Sequence, residues 1–244
     1  MSFREARKNY LLDAVIRKFK ELPKGKILDL GCGDGDYSVA LKDLGFDVVA
    51  GDIDKERFRY NGKIPFEYCD ITKEMPFQGK AFDYVLLMEV VEHLRNPYEV
   101  LPEISRIIKI GGSLILSTPN ILNLKSRLRF LFEGAYEYFR EAPLDQCRNP
   151  KEKIFNLHLL PYRYQELEYL LAASGFKVKS VFTSIYEGCG MFFLAPLIRM
   201  QARLKSRRSK KKGGIDYARI NKIICSDEVI YGRHLIIQAE KTNN

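Results

Sequence analysis

The chain has 244 residues, 46% hydrophobic and 12% aromatic, which is enough for a real core and excludes a fully disordered chain. Its five cysteines (Cys32, Cys69, Cys147, Cys189, Cys225) are scattered, with no Cys-x-x-Cys pair, so a disulfide-stapled mini-protein and the usual zinc and dithiol signatures are excluded; free thiols suit a reducing compartment. The formal charge of +9 suggests nucleic acid at first sight, but eight basic residues and no acid lie between Arg199 and Lys212, and the rest of the chain sums to only +1.

In chain order, Tyr10, Leu11, Ala14, Val15 and Phe19 repeat at helical spacing, so 4–21 reads as an amphipathic helix that Pro23 and Gly25 end. This N-terminal stretch is charged throughout and does not read as a signal peptide. Lys26–Leu30 reads as a strand, Tyr37–Leu44 as a helix, Phe46–Gly51 and Pro65–Cys69 as strands. Phe82–Met88 is an unbroken apolar run, the pattern of a strand buried on both faces. Pro97–Lys109 reads as a helix ended by Gly111-Gly112, and Ser113–Ser117 as a strand. This alternation predicts an α/β fold with a parallel sheet and crossover helices.

The order then breaks. Residues 119–160 hold a basic, aromatic helix-like stretch (Leu124–Tyr138) and a polar loop with Pro143 and Pro150. Tyr162–Ser174 reads as a helix, Lys177–Ile185 as a strand, 187–232 as a second insertion, and Arg233–Ala239 as the last strand. No internal repeat is present. The longest apolar run, Met191–Ile198, is far shorter than the ~20 residues of a membrane span.

The sharpest motif is Ile27-Leu28-Asp29-Leu30-Gly31-Cys32-Gly33-Asp34-Gly35, at a strand-to-helix junction. Residues without side chains let a ligand approach the backbone there, and the helix start offers unpaired N–H groups. The dinucleotide fingerprint G-x-G-x-x-G needs a third glycine where this chain has Asp36. Asp29 is awkward beside a pyrophosphate and suits a ligand with a positive amino group.

Asp29 to Gly35 resembles motif I of the class I S-adenosylmethionine-dependent methyltransferases. Later landmarks follow in order. Asp52, 21 residues after Gly31, stands where the family places a carboxylate for the two ribose hydroxyls, and spacing favours it over Asp54. Asp70 resembles the residue that accepts from the adenine amino group. Phe82 to Leu94 and Ile108 to Asn120 resemble the fourth- and fifth-strand motifs; Asp83 reads as a structural cap. The resemblance implies a Rossmann-like seven-stranded, mostly parallel sheet with helices on both faces and an antiparallel last strand. It implies S-adenosyl-L-methionine as cofactor, held by Asp29, Gly31, Cys32, Gly33, Gly35, Asp52, Ile53, Asp70, Ile71, Met88 and Glu89. One domain is expected over 1–244: an N-terminal helix (1–25), a core that binds the methyl donor (26–120), a lid-like insertion (119–160) and a basic insertion (187–232).

Methyl transfer from a sulfonium chiefly needs alignment, and a base only where the acceptor must lose a proton. The candidates are His93, which follows Glu92 after the fourth strand, and His158, before the helix Tyr162–Ser174. Glu89-Val90-Val91-Glu92-His93 resembles the segment of quinone-biosynthesis-type O-methyltransferases, where the cluster holds a divalent metal or positions the acceptor. Whether Glu89, Glu92 and His93 bind a metal stays open, as does a purely structural role. His234, at the start of the last strand, is expected far from the cleft.

The expected reaction is methylation of a small molecule, at a hydroxyl of a quinone-like, lipid-linked or glycan-precursor compound. The alternative is an RNA or other nucleic-acid methyltransferase that uses the basic insertion. The fourth strand lacks the Asn/Asp-Pro-Pro-aromatic element for exocyclic amines, and no cysteine follows the fourth or fifth strand for C5 chemistry, so nucleic acid is disfavoured. A third option binds the methyl donor without transferring it. If 191–212 is helical, Leu197, Met200 and Leu204 share one face and Arg199, Arg203 and Arg207 another, a pattern suited to an anionic membrane surface. A cytoplasmic location is expected, with peripheral attachment to the inner membrane face as the option this segment adds. The oligomeric state is left open.

Overall fold

The structure, a computed structural model, describes residues 3–139, 158, 160–187, 193–208 and 216–242. Strand β4 (Phe82–Met88) is apolar except at Asp83, and β1 (Lys26–Leu30) is buried from Ile27 on although Asp29 interrupts its apolar residues, because both faces are covered. Successive side chains point to opposite sides. Leu28, Leu30, Val85 and Leu87 pack with helices α3 (Pro97–Ile107) and α5 (Tyr164–Ala173). Ile27, Tyr84, Leu86 and Met88 pack with helices α1 (Phe3–Lys20) and α2 (Asp36–Asp43) on the other face.

The remaining strands are β2 (Asp47–Asp52), β3 (Phe66–Tyr68), β5 (Ile108–Pro119), β6 (Phe176–Phe182) and β7 (His234–Lys241). Among the described residues they form one sheet in the order β3-β2-β1-β4-β5-β7-β6. Strands β1 to β5 pair in parallel, and β7 runs antiparallel to both β5 and β6. The expected layout is therefore present. Beside β1 the winding reverses, from β2 on one side to β4 on the other, which opens a crevice at the carboxyl ends of the strands.

Several boundaries differ from the sequence reading. Helix α3 ends at Ile107, not Lys109, because Ile108 already pairs with Phe82 and the Lys109 ammonium reaches Asp83 at 2.8 Å. Strand β5 thus begins five residues before Ser113. Asp83 has the expected structural role, accepting from the Lys26 amide at 2.8 Å. The stretch Leu124–Tyr138 is helical only to Glu133 (α4, Leu124–Glu133). Asn123 caps its start, accepting from the Ser126 amide at 2.7 Å, and Gly134 stops it at φ 70°. Strand β6 stops at Phe182, short of Ile185.

The second insertion contains helices α6 (Leu194–Arg208), α7 (Tyr217–Ile224) and α8 (Asp227–Ile230). It is stitched to the turn after β5: the Asn120 amide donates to the carbonyls of Val229 and Gly232 at 2.9 and 2.8 Å. Pro143, Pro150, Met191, Phe192 and the basic residues 210–212 lie outside the described residues. No helix among the described residues is long and apolar enough to cross a membrane.

Candidate active site

The glycine loop joins β1 to α2. Gly31 takes φ 73°, and its amide bonds the Gly51 carbonyl at 2.7 Å, tying the loop to β2. A Cβ at Gly31 would lie 2.7 Å from a Val90 methyl, so packing and backbone both require glycine there. Gly33 differs: a Cβ would meet nothing closer than the Arg57 guanidinium at 3.5 Å. Its requirement is φ 52°, and the half-exposed Arg57 guanidinium, paired with Asp34, lies in ordinary contact over it. Asp29 is buried beneath the loop and accepts from the Ser38 hydroxyl. Burial and Asp29 push the Cys32 thiol far up, so Cys32 is a neutral wall rather than a nucleophile.

Asp52 ends β2 facing this loop. Its Oδ2 accepts from the Gly33 amide at 2.8 Å and its Oδ1 from the Asp54 amide at 3.0 Å. Asp52 rather than Asp54 therefore faces the crevice edge. Beside it, Ile53 is 40% exposed, an apolar side chain at a strand end where a flat ring can lie. Asp70 sits in a turn whose Thr72 hydroxyl and amide, with Lys73, hold its carboxyl below the usual range. Ile71 packs partly buried against the core. A left-handed glycine backbone, a strand-end carboxylate and an exposed aliphatic side chain fit a nucleoside. Replacing Asp52 with alanine should weaken S-adenosylmethionine binding about 10- to 100-fold in calorimetry, since a charge-assisted contact is worth about 1.5–3 kcal/mol. Unchanged affinity would place the nucleoside elsewhere.

The carboxyl end of β4 carries the charged groups. After buried Met88, Glu89 takes φ 54°, a conformation unusual for a side-chain-bearing residue and typical of functional sites. Its amide bonds Ser117 on β5, and the Ser117 hydroxyl donates to the Glu89 carboxylate at 2.8 Å. Burial pushes Glu89 up to about 7, against the pull of the Ser117 bond and Arg233. Glu92 is wholly buried, and among the described residues neither of its oxygens has a hydrogen-bond partner. Burial first, and the Glu89 charge second, raise its pKa well above the carboxylate range, against the weaker pull of its backbone and of the nearby Thr118 hydroxyl, which lies outside good hydrogen-bond geometry.

His158 closes this cluster. Its Nδ1 lies 3.1 Å from the Tyr138 carbonyl, so Nδ1 carries the hydrogen and Nε2 keeps its lone pair. Burial, then the neighbouring His93, lowers its pKa, so it is neutral near pH 7. Nε2 faces Glu92 Oε1 at 3.9 Å, and the His93 ring is 5.0 Å away edge-on. One ligand atom from each of Glu92, His93 and His158 lies within 4.8 Å of the others. The Glu92 carboxyl holds its proton near pH 7 and faces the Nε2 lone pair at 3.9 Å, a gap that suits an acceptor hydroxyl between them or, once Glu92 is deprotonated, a divalent cation. The set departs from the one the sequence suggested: His158 joins Glu92 and His93, while Glu89 bonds Ser117 instead.

His234 overturns its expectation. Because β7 is antiparallel, its first residue pairs with Pro119 at the carboxyl end of β5. His234 Nε2 therefore lies 4.0 Å from Glu89, and its Nδ1 bonds the Ser184 hydroxyl. Arg233 beside it pairs with Glu187 at 3.1 Å and lies over the Tyr138 ring. The sequence reading also missed a groove of about 420 Å³ between α3 and α5, lined by Arg95, Tyr98, Tyr162, Gln165 and Tyr169. Arg95 and Leu160 in its wall each sit two residues from a cluster histidine. Of the lid-like insertion, Phe139 is buried against the His158 ring at 5.5 Å, while Phe130 and Tyr136 stack on each other at 4.6 Å.

The doubly wound sheet, the glycine loop and the strand-end acids define a protein that binds a nucleoside-type cofactor across the crevice. Residues 3–181 match the methyltransferase domain family, and the chain belongs to that family, whose cofactor is S-adenosyl-L-methionine. Similar solved structures include a SAM-dependent methyltransferase from Archaeoglobus fulgidus, at TM-score 0.57 and 17% identity, covering 98% of this chain and 100% of that one. Curated relatives include the ubiquinone biosynthesis O-methyltransferase of Pelagibacter ubique, 30% identical over 155 residues, 59% of this chain and 64% of that protein. That of Roseobacter denitrificans is 32% identical over 137 residues, 50% of this chain and 55% of that protein. The chain thus spans between 55% and 64% of the length of these two relatives.

Proposed function

We propose that this chain methylates a hydroxyl on a small aromatic, quinone-precursor-like acceptor. The carrying observation is the cluster of buried, unpartnered Glu92 with His93 and neutral His158 beside the β4 terminus. The named activity of the relatives supports the acceptor class. A phenolic hydroxyl must lose its proton as its oxygen bonds to the methyl carbon. His158 takes that proton at Nε2, and its Nδ1–H on the Tyr138 carbonyl fixes the ring. The positive charge formed on His158 favours ionisation of the facing Glu92 carboxyl, which then balances it. Glu89 lies at the methionine end of the methyl donor. When bound, S-adenosylmethionine supplies an electrophilic methyl whose departure leaves a neutral thioether.

The same three side chains fit a divalent cation, and a bound cation would supply Lewis-acid lowering of the hydroxyl pKa. Manganese titration followed by thermal shift tests this apart from activity: a rise for wild type that His93→Ala abolishes is the expected result.

A methyl-transfer screen with catechols, phenols and amines, read by release of the demethylated cofactor, tests the reaction. Release with catechols is expected. His158→Asn should lower kcat about 10²- to 10⁴-fold while leaving cofactor affinity in place. Transfer to amines or RNA alone would sink the acceptor assignment.

A further inference from the structure

Methyl transfer does not account for the basic insertion, and its described part holds a helix with two apolar faces. On the inner face, Ala195 is buried and Ile198 half-buried against Leu124, Ile230 and Tyr231. On the outer face, Phe193, just before the helix, and Leu197, Met200 and Leu204 along it stand 70, 56, 55 and 46% exposed. At about 100° per residue these four fall within about 60° of arc, opposite Ala195 and Ile198. Single exposed apolar side chains are ordinary, but a four-membered stripe is an interaction surface.

Charge accompanies the stripe. Arg199 anchors the helix internally, bonding Asp227 and the Cys225 carbonyl. From there the sequence runs through Arg203, Lys205, Arg207, Arg208, Lys210, Lys211 and Lys212, with no acid before Asp216. We propose that α6 docks on an anionic bilayer. The helix lies in the headgroup plane, with Phe193, Leu197, Met200 and Leu204 at the acyl boundary and exposed Arg203 beside them on anionic headgroups, while the basic sequence that follows supplies the long-range attraction. A nucleic-acid surface would turn its cationic groups outward along the exposed face, whereas this face is aliphatic and the charge flanks and follows it. Ile230 and Tyr231, under α6, lead directly into Arg233 and His234 at the cleft. The docked face and the cleft therefore share one end of the sheet, an arrangement that serves a lipid-borne acceptor. That last step rests on the methyl-transfer reading; the docking does not.

The chain has no tryptophan, so Phe193→Trp provides a single reporter. With phosphatidylcholine vesicles containing about one third phosphatidylglycerol, its emission should shift to the blue and the protein should co-sediment. Neutral vesicles should bind weakly, and added salt should release the protein. Leu197→Ser, Met200→Ser and Leu204→Ser together should weaken partitioning at least about 100-fold. Arg203→Gln and Lys205→Gln should each weaken it about fivefold. No blue shift on anionic vesicles, or equal partitioning of the triple variant, overturns the docking. So does preference for an RNA duplex that the triple variant retains. Cofactor affinity should stay at the wild-type value in every variant, because the substituted positions lie outside the cleft. If wild type binds vesicles but not S-adenosylmethionine, docking stands and the methyl-transfer reading falls.

Discussion

Glu92→Leu raises the melting temperature of the ligand-free protein and lowers methyl transfer at least about 100-fold. The two effects have one cause. Glu92 is wholly buried, and among the described residues its oxygens find no hydrogen bond. A buried polar group without a partner costs about 1–3 kcal/mol, and an apolar side chain of similar size removes that cost. For a chain of 244 residues this corresponds to roughly 3–8 °C. A buried carboxyl held only weakly, by the Thr118 hydroxyl and its own backbone among the described residues, is explained by what it meets during the reaction: the His158 imidazolium, the acceptor hydroxyl or a cation. Differential scanning fluorimetry and a turnover assay on the same preparation decide the matter. A fall in melting temperature with activity retained would make Glu92 a structural residue and remove the basis of the cluster.

Strand β4 was legible in the sequence because burial on both faces leaves a run that is apolar except at Asp83, and β1 because short aliphatic positions lead into the glycine loop. The glycine loop was legible for a related reason. Its glycines, Asp52 and Asp70 are fixed by short-range geometry at successive strand ends, and that geometry recurs as spacing. His234 was misplaced because spacing identifies a strand without giving its direction. Insertion of β7 antiparallel between β5 and β6 is a long-range choice, and it carries the first residue of the strand to the cleft. His158 and His93 pose the same difficulty. They are 65 positions apart in sequence and their rings are 5.0 Å apart in space. The groove between α3 and α5 was invisible for the same reason, since two helices from distant segments make it. The face of α6 was readable in advance, because a period near four along one helix is a local property.

Cofactor affinity rises with pH up to about 7 and then levels off, and Glu89→Gln removes that dependence. Glu89 titrates near 7 because burial opposes its charge, while the Ser117 hydroxyl and Arg233 favour it. A carboxylate that faces the ammonium of the methionine end must be ionised to do so. Below pH 7 each unit of acidification therefore weakens binding by up to about tenfold. Glutamine keeps the shape without the charge, so the variant binds about 10- to 100-fold more weakly at pH 8 and shows no slope between pH 6 and 8. The fold responds with the opposite sign. Where the native pKa lies above the ordinary 4.5, the native state holds the proton more tightly than the unfolded chain between pH 4.5 and about 7. The stability contribution of this group is full below that window and is lost as pH rises through it. The ligand-free protein should thus melt at lower temperature at pH 7.5 than at pH 5, and Glu89→Gln should flatten that curve. Asp70, Asp83, Glu103 and Glu166 have lowered pKa values and titrate below this window. Glu92, also raised, adds a trend of the same sign, and His158, lowered, adds one of opposite sign at the acid end, so Glu89→Gln reduces the slope without abolishing it. Opposite pH trends for cofactor affinity and apo stability, one erased and the other reduced by one substitution, would be hard to obtain from a residue with only a packing role. A pH-independent affinity in wild type would place the ammonium away from Glu89.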